Sequence, residues 1–512
     1  MRNKRNRISF IILAGFSGLL LAGQLTATEG DVKRKQPNIL LAISDDQSWE
    51  HFGATGCKAV KTPAFDRVAA EGALFTRFFA AAPQCSPNRA SLLTGRHIWQ
   101  NREAGTHSSS FPSELAVYPD LLEQQGYAVG YTGKPWSPGN WKISGRTRNP
   151  AGTAFNDKKF DTVPASGIAK TDYAGNFEDF LKQKKSDQPF CFWYGGLEPH
   201  RGYEEGSGVK SGKALGDVRV PPFLPDNETV RSDLLDYLFE IEWFDKQLAK
   251  MMALLEARGE LDNTLILVMS DNGMPFPHAK ANLYEHGVRL PLAIRYPPAI
   301  RAGQRVKDLL SCVDIAPTIL DAAGVKIPSE MTGHSVLPYL NGAEAKGMND
   351  CVLFGRERHT HARPDNVGYP SRAIRTDNYL YIWNMKPDRW PVGNPPGYED
   401  TDGGSPSKAY LLAQQQEEGP GKKFFELAFG LRPADELYEV EKDPGCVVNL
   451  AGQPAYAKTV AELQKRLAAL LRQQGDPRVT GSEIFDSYPR YNYMRKDLPG
   501  FKESGKYNPA FK

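Results

Sequence analysis

Three short apolar runs set the pattern of this chain. They are Ile39-Leu40-Leu41-Ala42-Ile43-Ser44, Phe190-Cys191-Phe192-Trp193-Tyr194 and Thr264-Leu265-Ile266-Leu267-Val268-Met269-Ser270. None alternates polar with apolar positions. Runs this short and this continuous predict strands buried on both faces, as in a parallel sheet covered by helices. Residues 73–79 and 127–131 read as further strands. Between the strands the apolar spacing turns helical. Thr62-Pro63 opens a helix through Glu71, with Pro in its first turn and Phe65, Val68 and Ala69 on one face. Residues 115–125 read as a helix ended by Gly126, and 177–183 are amphipathic. Residues 233–257 predict a long helix, with Leu234, Leu238, Ile241, Leu248 and Met252 at helical spacing and a turn at 261–263. Alternating strands and helices predict an α/β fold, a mixed and mostly parallel sheet flanked by helices.

The texture changes near Asn349. Residues 351–354, 371–375 and 379–383 read as strands of a second sheet, and 456–474 as an amphipathic helix. Residues 386–423 are rich in Pro, Gly and Gln and predict a loop or lid without regular structure. The expected division is a main domain over 28–348 and a smaller C-terminal α+β subdomain over 349–512, with loops that reach the substrate. Ahead of both, Arg2, Lys4, Arg5 and Arg7 precede an apolar run from Ile8 to Gly23, then small and polar residues through Ala27. This pattern predicts a signal peptide over 1–27 and a secreted or periplasmic protein. The run is short for a membrane span, and no other stretch is apolar enough for one.

Composition narrows the classes. A chain of 512 residues suits one large domain and a smaller companion. Charged residues make up 24% with a net charge of +3, and no basic stripe stands outside the N-terminus, which argues against nucleic-acid binding. Six cysteines (Cys57, Cys85, Cys191, Cys312, Cys351 and Cys446) show no close-paired metal spacing, so free buried thiols are expected.

The candidate chemistry sits where the apolar runs stop. The first run ends in Asp45-Asp46 and the third in Asp271-Asn272-Gly273. Adjacent carboxylates at the end of a buried strand repel each other unless a cation lies between them. Three carboxylates and one amide oxygen suit a hard ion, Ca²⁺ or Mg²⁺, rather than zinc. An Asp-rich turn is the other reading of such a pair. Cys85-Ser86-Pro87-Asn88-Arg89 leads a Pro- and Ser-rich loop into a helix start, where Ser86 or Asn88 is a cap candidate and free N–H groups would face an anion. Arg89 adds a fixed charge with a planar donor fork. A buried cysteine in a turn is the alternative. Lys134 follows a strand end, where ligands gather in such folds. His200, within Glu198-Pro199-His200-Arg201, follows another.

The full string Cys-x-Pro-x-Arg with Ala90-Ser91-Leu92-Leu93-Thr94-Gly95 resembles the signature of the type I sulfatases, and the resemblance covers most of residues 36–450. It implies an alkaline-phosphatase-like fold. It also implies that a maturation enzyme, formylglycine-generating or anaerobic, converts Cys85 to formylglycine, whose hydrate is the nucleophile. Asp45, Asp46, Asp271 and Asn272, with an oxygen from modified Cys85, would then hold Ca²⁺, with Mg²⁺ possible. Lys134 and Lys280 would meet the sulfate oxygens, Arg89 would hold the modified side chain, and His200 would protonate the leaving group. Pro275-Phe276-Pro277, Asn282-Leu283-Tyr284, the paired His359 and His361, and Tyr369-Pro370-Ser371-Arg372 resemble the heparan N-sulfatase branch. That likeness implies N-sulfoglucosamine within a sulfated saccharide, with His286, His359, His361 and Arg372 as substrate contacts. One position departs from the family. Trp136 stands where relatives carry the histidine that completes turnover, so either another base serves, with His107 or His278 as candidates, or turnover is slow, or the chain belongs to a divergent subfamily, the reading favoured by the complete metal set and nucleophile. An O-sulfate esterase, a phosphonate or phosphodiester hydrolase of the same fold, and a glycan-binding protein without turnover are the competing readings.

Overall fold

The computed structural model describes residues 36–341, 349–416 and 418–491. The expected signal peptide lies outside the described residues. No helix among them is long and apolar enough to cross a membrane.

Nine strands form the main sheet: β1 (Asn38–Ser44), β2 (Ala73–Phe79), β3 (Ala128–Gly133), β4 (Thr153–Ala154), β5 (Phe190–Gly195), β6 (Thr264–Ser270), β7 (Arg289–Arg295), β8 (Gln304–Val306) and β9 (Leu310–Ser311). Their order is β4-β3-β5-β1-β6-β7-β2-β8, with β9 also on β2. The three continuous apolar runs are its centre, β5, β1 and β6, mutually parallel and buried at every residue. Alternate side chains feed two cores. Leu40, Ala42, Phe192, Tyr194, Ile266 and Val268 pack under the helices Pro63–Glu71, Tyr173–Gln183 and Glu228–Ala257. Ile39, Leu41, Ile43, Trp193, Leu265 and Leu267 pack under Cys85–Thr94, Tyr118–Gln124 and Ile315–Ala322. The mostly parallel sheet flanked by helices is as the sequence predicts.

Register decides where the chemistry lands. Ile39 lies beside Leu265, and the pairing runs on to Ser44 beside Ser270. The next residues are Asp45 and Asp271, so two acids far apart in sequence leave the sheet side by side.

Several elements differ from expectation. The long helix begins at Glu228 rather than Asp233 because the Asn227 side chain accepts from the Val230 N–H. Asp172 likewise caps Tyr173–Gln183, one turn before the expected start. The next helix starts at Tyr118, since Pro119 fits only in a first turn. The sequence reading has no counterpart to β7, which runs antiparallel between β6 and β2. Pro291 disguises it, and its partner β2 shifts register between Phe75 and Phe78 opposite that proline.

A second sheet follows, antiparallel throughout: β10 (Val352–Arg356), β11 (Ser371–Arg375), β12 (Tyr379–Asn384) and β13 (Asp435–Glu439). Helix Ala457–Gln473 lays Leu463, Leu467 and Leu471 on its Leu353, Ile374, Tyr381 and Leu437 face. The segment 386–423 is not wholly irregular. It contains helix Pro406–Ala413, capped by Ser405, and the start of helix Pro420–Phe429. Both open on proline, a start signal that the polar composition hides.

Candidate active site

The sheet's central edge is stitched before any ligand is considered. The Asp271 N–H donates to Ser44 O (3.2 Å), the Gln47 N–H to Asn272 O (2.7 Å), and the Asp45 N–H to Glu198 O (3.0 Å). Asp46 takes φ = 70°, a left-handed turn that Asp tolerates, and its N–H donates to Asp271 Oδ1 (3.1 Å). Asp45, Asp46, Asp271 and Asn272 are all fully buried.

Cys85 opens the helix Cys85–Thr94, and Arg89 lies one turn further along the same face. Neither Ser86 nor Asn88 caps this helix. Gln84 is its N-cap, without a side-chain bond. Ser86 Oγ instead accepts from the Ser108 N–H, and Asn88 binds the Ala81 N–H and Asp271 O. Their side chains tie the first turn to neighbouring loops. Arg89 Nε donates to Asp271 Oδ2 (2.7 Å), and its Nη1 donates to Lys134 O (2.7 Å). Lys134 Nζ binds Asp45, and Lys280 Nζ binds Asp46. Each carboxylate therefore has its own cation. Burial alone would raise the Asp45 carboxyl, but Lys134 and other cations outweigh it and hold it below its ordinary value. Burial works against charge on Lys134 and Lys280 too, yet the carboxylates push both upward, so both stay ionised.

The Cys85 sulfur lies 3.5 Å from Asp45 Oδ1 and 3.9 Å from Asp46 Oδ1. Asp45, Asp46, Cys85 and Asp271 each place one potential ligand atom within 4.8 Å of the others. Asp46 Oδ2 and Asn272 Oδ1 are buried and accept no hydrogen bond. An unmatched buried acceptor costs about 1–3 kcal/mol. Three carboxylates gathered around the Cys85 sulfur, one of them with an unmatched oxygen, fit a divalent cation with oxygen ligands.

Outward from the sulfur lies a cavity of about 510 Å³. Cys85, Lys134, His200 and Lys280 line it. So do His107, His359, His361, Asp402 and Arg490. The His200 ring is about a third exposed, with Nε2 3.7 Å from Asp46 Oδ2 and Nδ1 3.1 Å from Arg201 O. His107 donates from Nδ1 to His359 O (3.1 Å), which leaves the Nε2 lone pair to accept a proton. Burial, reinforced by His359 and Arg490, holds its imidazole well below the ordinary value, so it is neutral.

Other expected residues lie elsewhere. His286 does not line this cavity; its Nε2 faces Glu50 (3.2 Å), and its ring packs on Trp49 and Phe223. Arg372 is fully buried between Asp476 (2.6 Å) and Glu357 (2.8 Å), a structural cation inside the C-terminal subdomain. Both His278 ring nitrogens face backbone carbonyls, Leu427 O and Gly445 O, so it is not placed as a base. Trp136 is buried against Phe111 and donates to Ser86 O (3.1 Å), beneath the Cys85 helix rather than in the cavity. Asp402 and Arg490 were missed. Asp402 sits in the Pro- and Gly-rich strap, and Arg490 in a tail without a legible pattern. The strap is positioned by Asp400, which is fully buried and accepts from Arg363 (2.7 Å), Arg356 (3.1 Å) and the Thr360 N–H (2.9 Å). No signal in the sequence marks Asp400 as that anchor.

The model of the Sulfatase family matches residues 37–325, and that of the N-sulphoglucosamine sulphohydrolase C-terminal region matches 277–392. An ulvan-active sulfatase of Formosa agariphila is 28% identical over 447 residues, spanning 86% of this chain and 81% of the relative. Human N-sulphoglucosamine sulphohydrolase is 29% identical over 485 residues, spanning 88% of this chain and 92% of the relative. A protein solved in complex with its substrate D-glucosamine-2-N,6-O-disulfate shares the fold, with TM-score 0.62 at 21% identity over 86% of this chain and 99% of that one.

Proposed function

The chain belongs to the sulfatase family, and on that premise we propose that it removes sulfate from a sulfated saccharide, with N-sulfoglucosamine the favoured residue. One observation carries the reading: a buried cysteine lines a cavity together with two lysines and clusters with three buried carboxylates. The N-sulfo preference is supported by the C-terminal family match, whose span includes Lys280, His359 and His361.

Asp45, Asp46, Asp271 and Asn272 would hold the cation, Ca²⁺ by this reading, whose charge favours an oxygen nucleophile and the sulfuryl oxygens. Maturation of Cys85 to formylglycine supplies that nucleophile as the aldehyde hydrate. The unmodified thiol suits the task poorly, since burial pushes it well above its ordinary value and keeps it protonated. Lys134 and Lys280 flank the sulfur and receive the sulfuryl oxygens as negative charge develops there. Arg89 fixes the Asp271 carboxylate and the Lys134 backbone, so cation site and lysine keep one geometry. His200, at the open side, donates a proton to the departing amine or alkoxide. Of the two candidates for the base in place of the family histidine at position 136, His107 is the one that lines the cavity, although burial weakens it as a base. Export through a signal peptide over 1–27 completes the proposal, with the substrate met outside the cytoplasm.

Mass spectrometry of the Cys85 peptide tests the maturation directly. Formylglycine lowers the mass by about 18 Da, which oxidation along the ordinary thiol ladder does not do. Sulfate release from defined heparin-type and chondroitin-type fragments then tests the reaction. Cys85→Ala should abolish release, and release that persists in this variant would end the proposal.

A further inference from the structure

Among the described residues, buried arginines almost always hold an acid. Arg89 has Asp271, Arg356 and Arg363 have Asp400, Arg372 has Asp476, and Arg375 has Glu285. Two break the rule. Arg490 is 4% exposed, donates from Nη1 to His359 O (2.6 Å), and has no partner on Nε. Arg358 is 1% exposed, bonds only the carbonyls of Tyr488, Pro489 and His107, and also lacks a partner on Nε. Neither has a carboxylate oxygen within 4.0 Å among the described residues. Asp400, the acid that acts on Arg490, is already shared by Arg356 and Arg363.

Backbone carbonyls fix a guanidinium's orientation but carry only partial charge. Two full positive charges close together and away from water remain expensive without a counter-ion. Of the pair, Arg490 lines the 510 Å³ cavity, together with His107 and His361. Asp402, the acid that also lines it, faces Lys280 at 3.9 Å. Lys134 and Lys280 are matched by Asp45 and Asp46; Arg490 is not matched.

We propose that Arg490 forms a second anion subsite, on which a carboxylate or a second sulfate of the same saccharide docks while its scissile sulfate lies at Cys85. The inference rests on the saccharide-sulfatase reading above. A planar guanidinium offers paired donors to either oxyanion. The cavity is of the size that encloses one small multi-ring ligand.

Binding separates this claim from the chemistry. Calorimetry on the full-length Cys85→Ala protein needs no matured nucleophile. One probe pair is a uronate–N-sulfoglucosamine disaccharide and its carboxyl-reduced analogue. The other is glucosamine 2-N,6-O-disulfate and the 2-N-sulfate. The doubly anionic member of one pair should bind roughly tenfold or more tightly than its partner. Adding Arg490→Gln should erase that difference, and Arg490→Lys should restore part of it. The pair that shows the effect identifies the anion. Equal weakening of both members by Arg490→Gln means a structural role and overturns the subsite, as does no weakening. Absence of binding by all four probes overturns it too. Sulfate release by the matured enzyme, measured separately, then decides whether the sulfatase reading stands without it.

Discussion

Glu198 sits two residues before His200, and its backbone carbonyl receives the Asp45 N–H. Burial pushes its carboxyl from 4.5 up to about 7, against the donations from the Ala169 N–H and Tyr173 OH. The sign of the stability effect follows. Between those two values the folded protein keeps a proton that the unfolded chain has released. Stability therefore falls as pH rises through the window. Glu198→Gln removes the effect. Chemical denaturation should find the variant gaining about 2 kcal/mol on the wild type between pH 5 and pH 8. A constant difference across that range would show that Glu198 ionises normally. At this scale the sequence is least informative. Arg372 resembles a substrate contact by its neighbours in the chain, yet its partner Asp476 lies 104 residues away. Local spacing does not disclose a pairing that only the folded subdomain creates.

At the scale of elements the sequence says far more. An uninterrupted apolar run is a strong signal because both faces of a central strand must be dry, and β1, β5 and β6 satisfy it at every position. The residues just beyond those runs were legible for the same reason, since parallel strands deliver their ends to one edge. Polar helix starts, the Pro291 strand and the prolines of the strap were not, because caps and proline rules act at single positions and leave no periodicity. Trp136 shows how an element reinterprets a residue. It supports the first turn of Cys85–Thr94 through Ser86 O. Restoring the family residue with Trp136→His should therefore not speed turnover. It should cost about 3 kcal/mol of stability through lost packing. Urea denaturation, with sulfate release per folded molecule, checks both halves. Faster turnover would mean that the loop carries position 136 into the cavity during the reaction.

Across the whole molecule, two parts meet over one cavity. The edge of the main sheet brings the acids, the cysteine and the lysines. The segment after β10, the strap and the tail bring His359, His361, Asp402 and Arg490 to the same cavity. Cation binding should accordingly stabilise the entire fold. At a hundredfold excess over its dissociation constant the gain is about 2.7 kcal/mol. Thermal unfolding should shift upward with Ca²⁺ and back with a chelator, and Asp271→Asn should abolish the shift. Identical midpoints with and without chelator in the wild type would remove the ion from this account. Asp400 rivets the ribbon to Arg356 and Arg363, and Ser405 and Ser407 tie it to Asp233. The ribbon is not separate from the bond-breaking machinery, because two residues past that rivet Asp402 reaches Lys280 at 3.9 Å. A designer who recuts the ribbon to admit another saccharide must therefore keep Asp402 as well as Asp400.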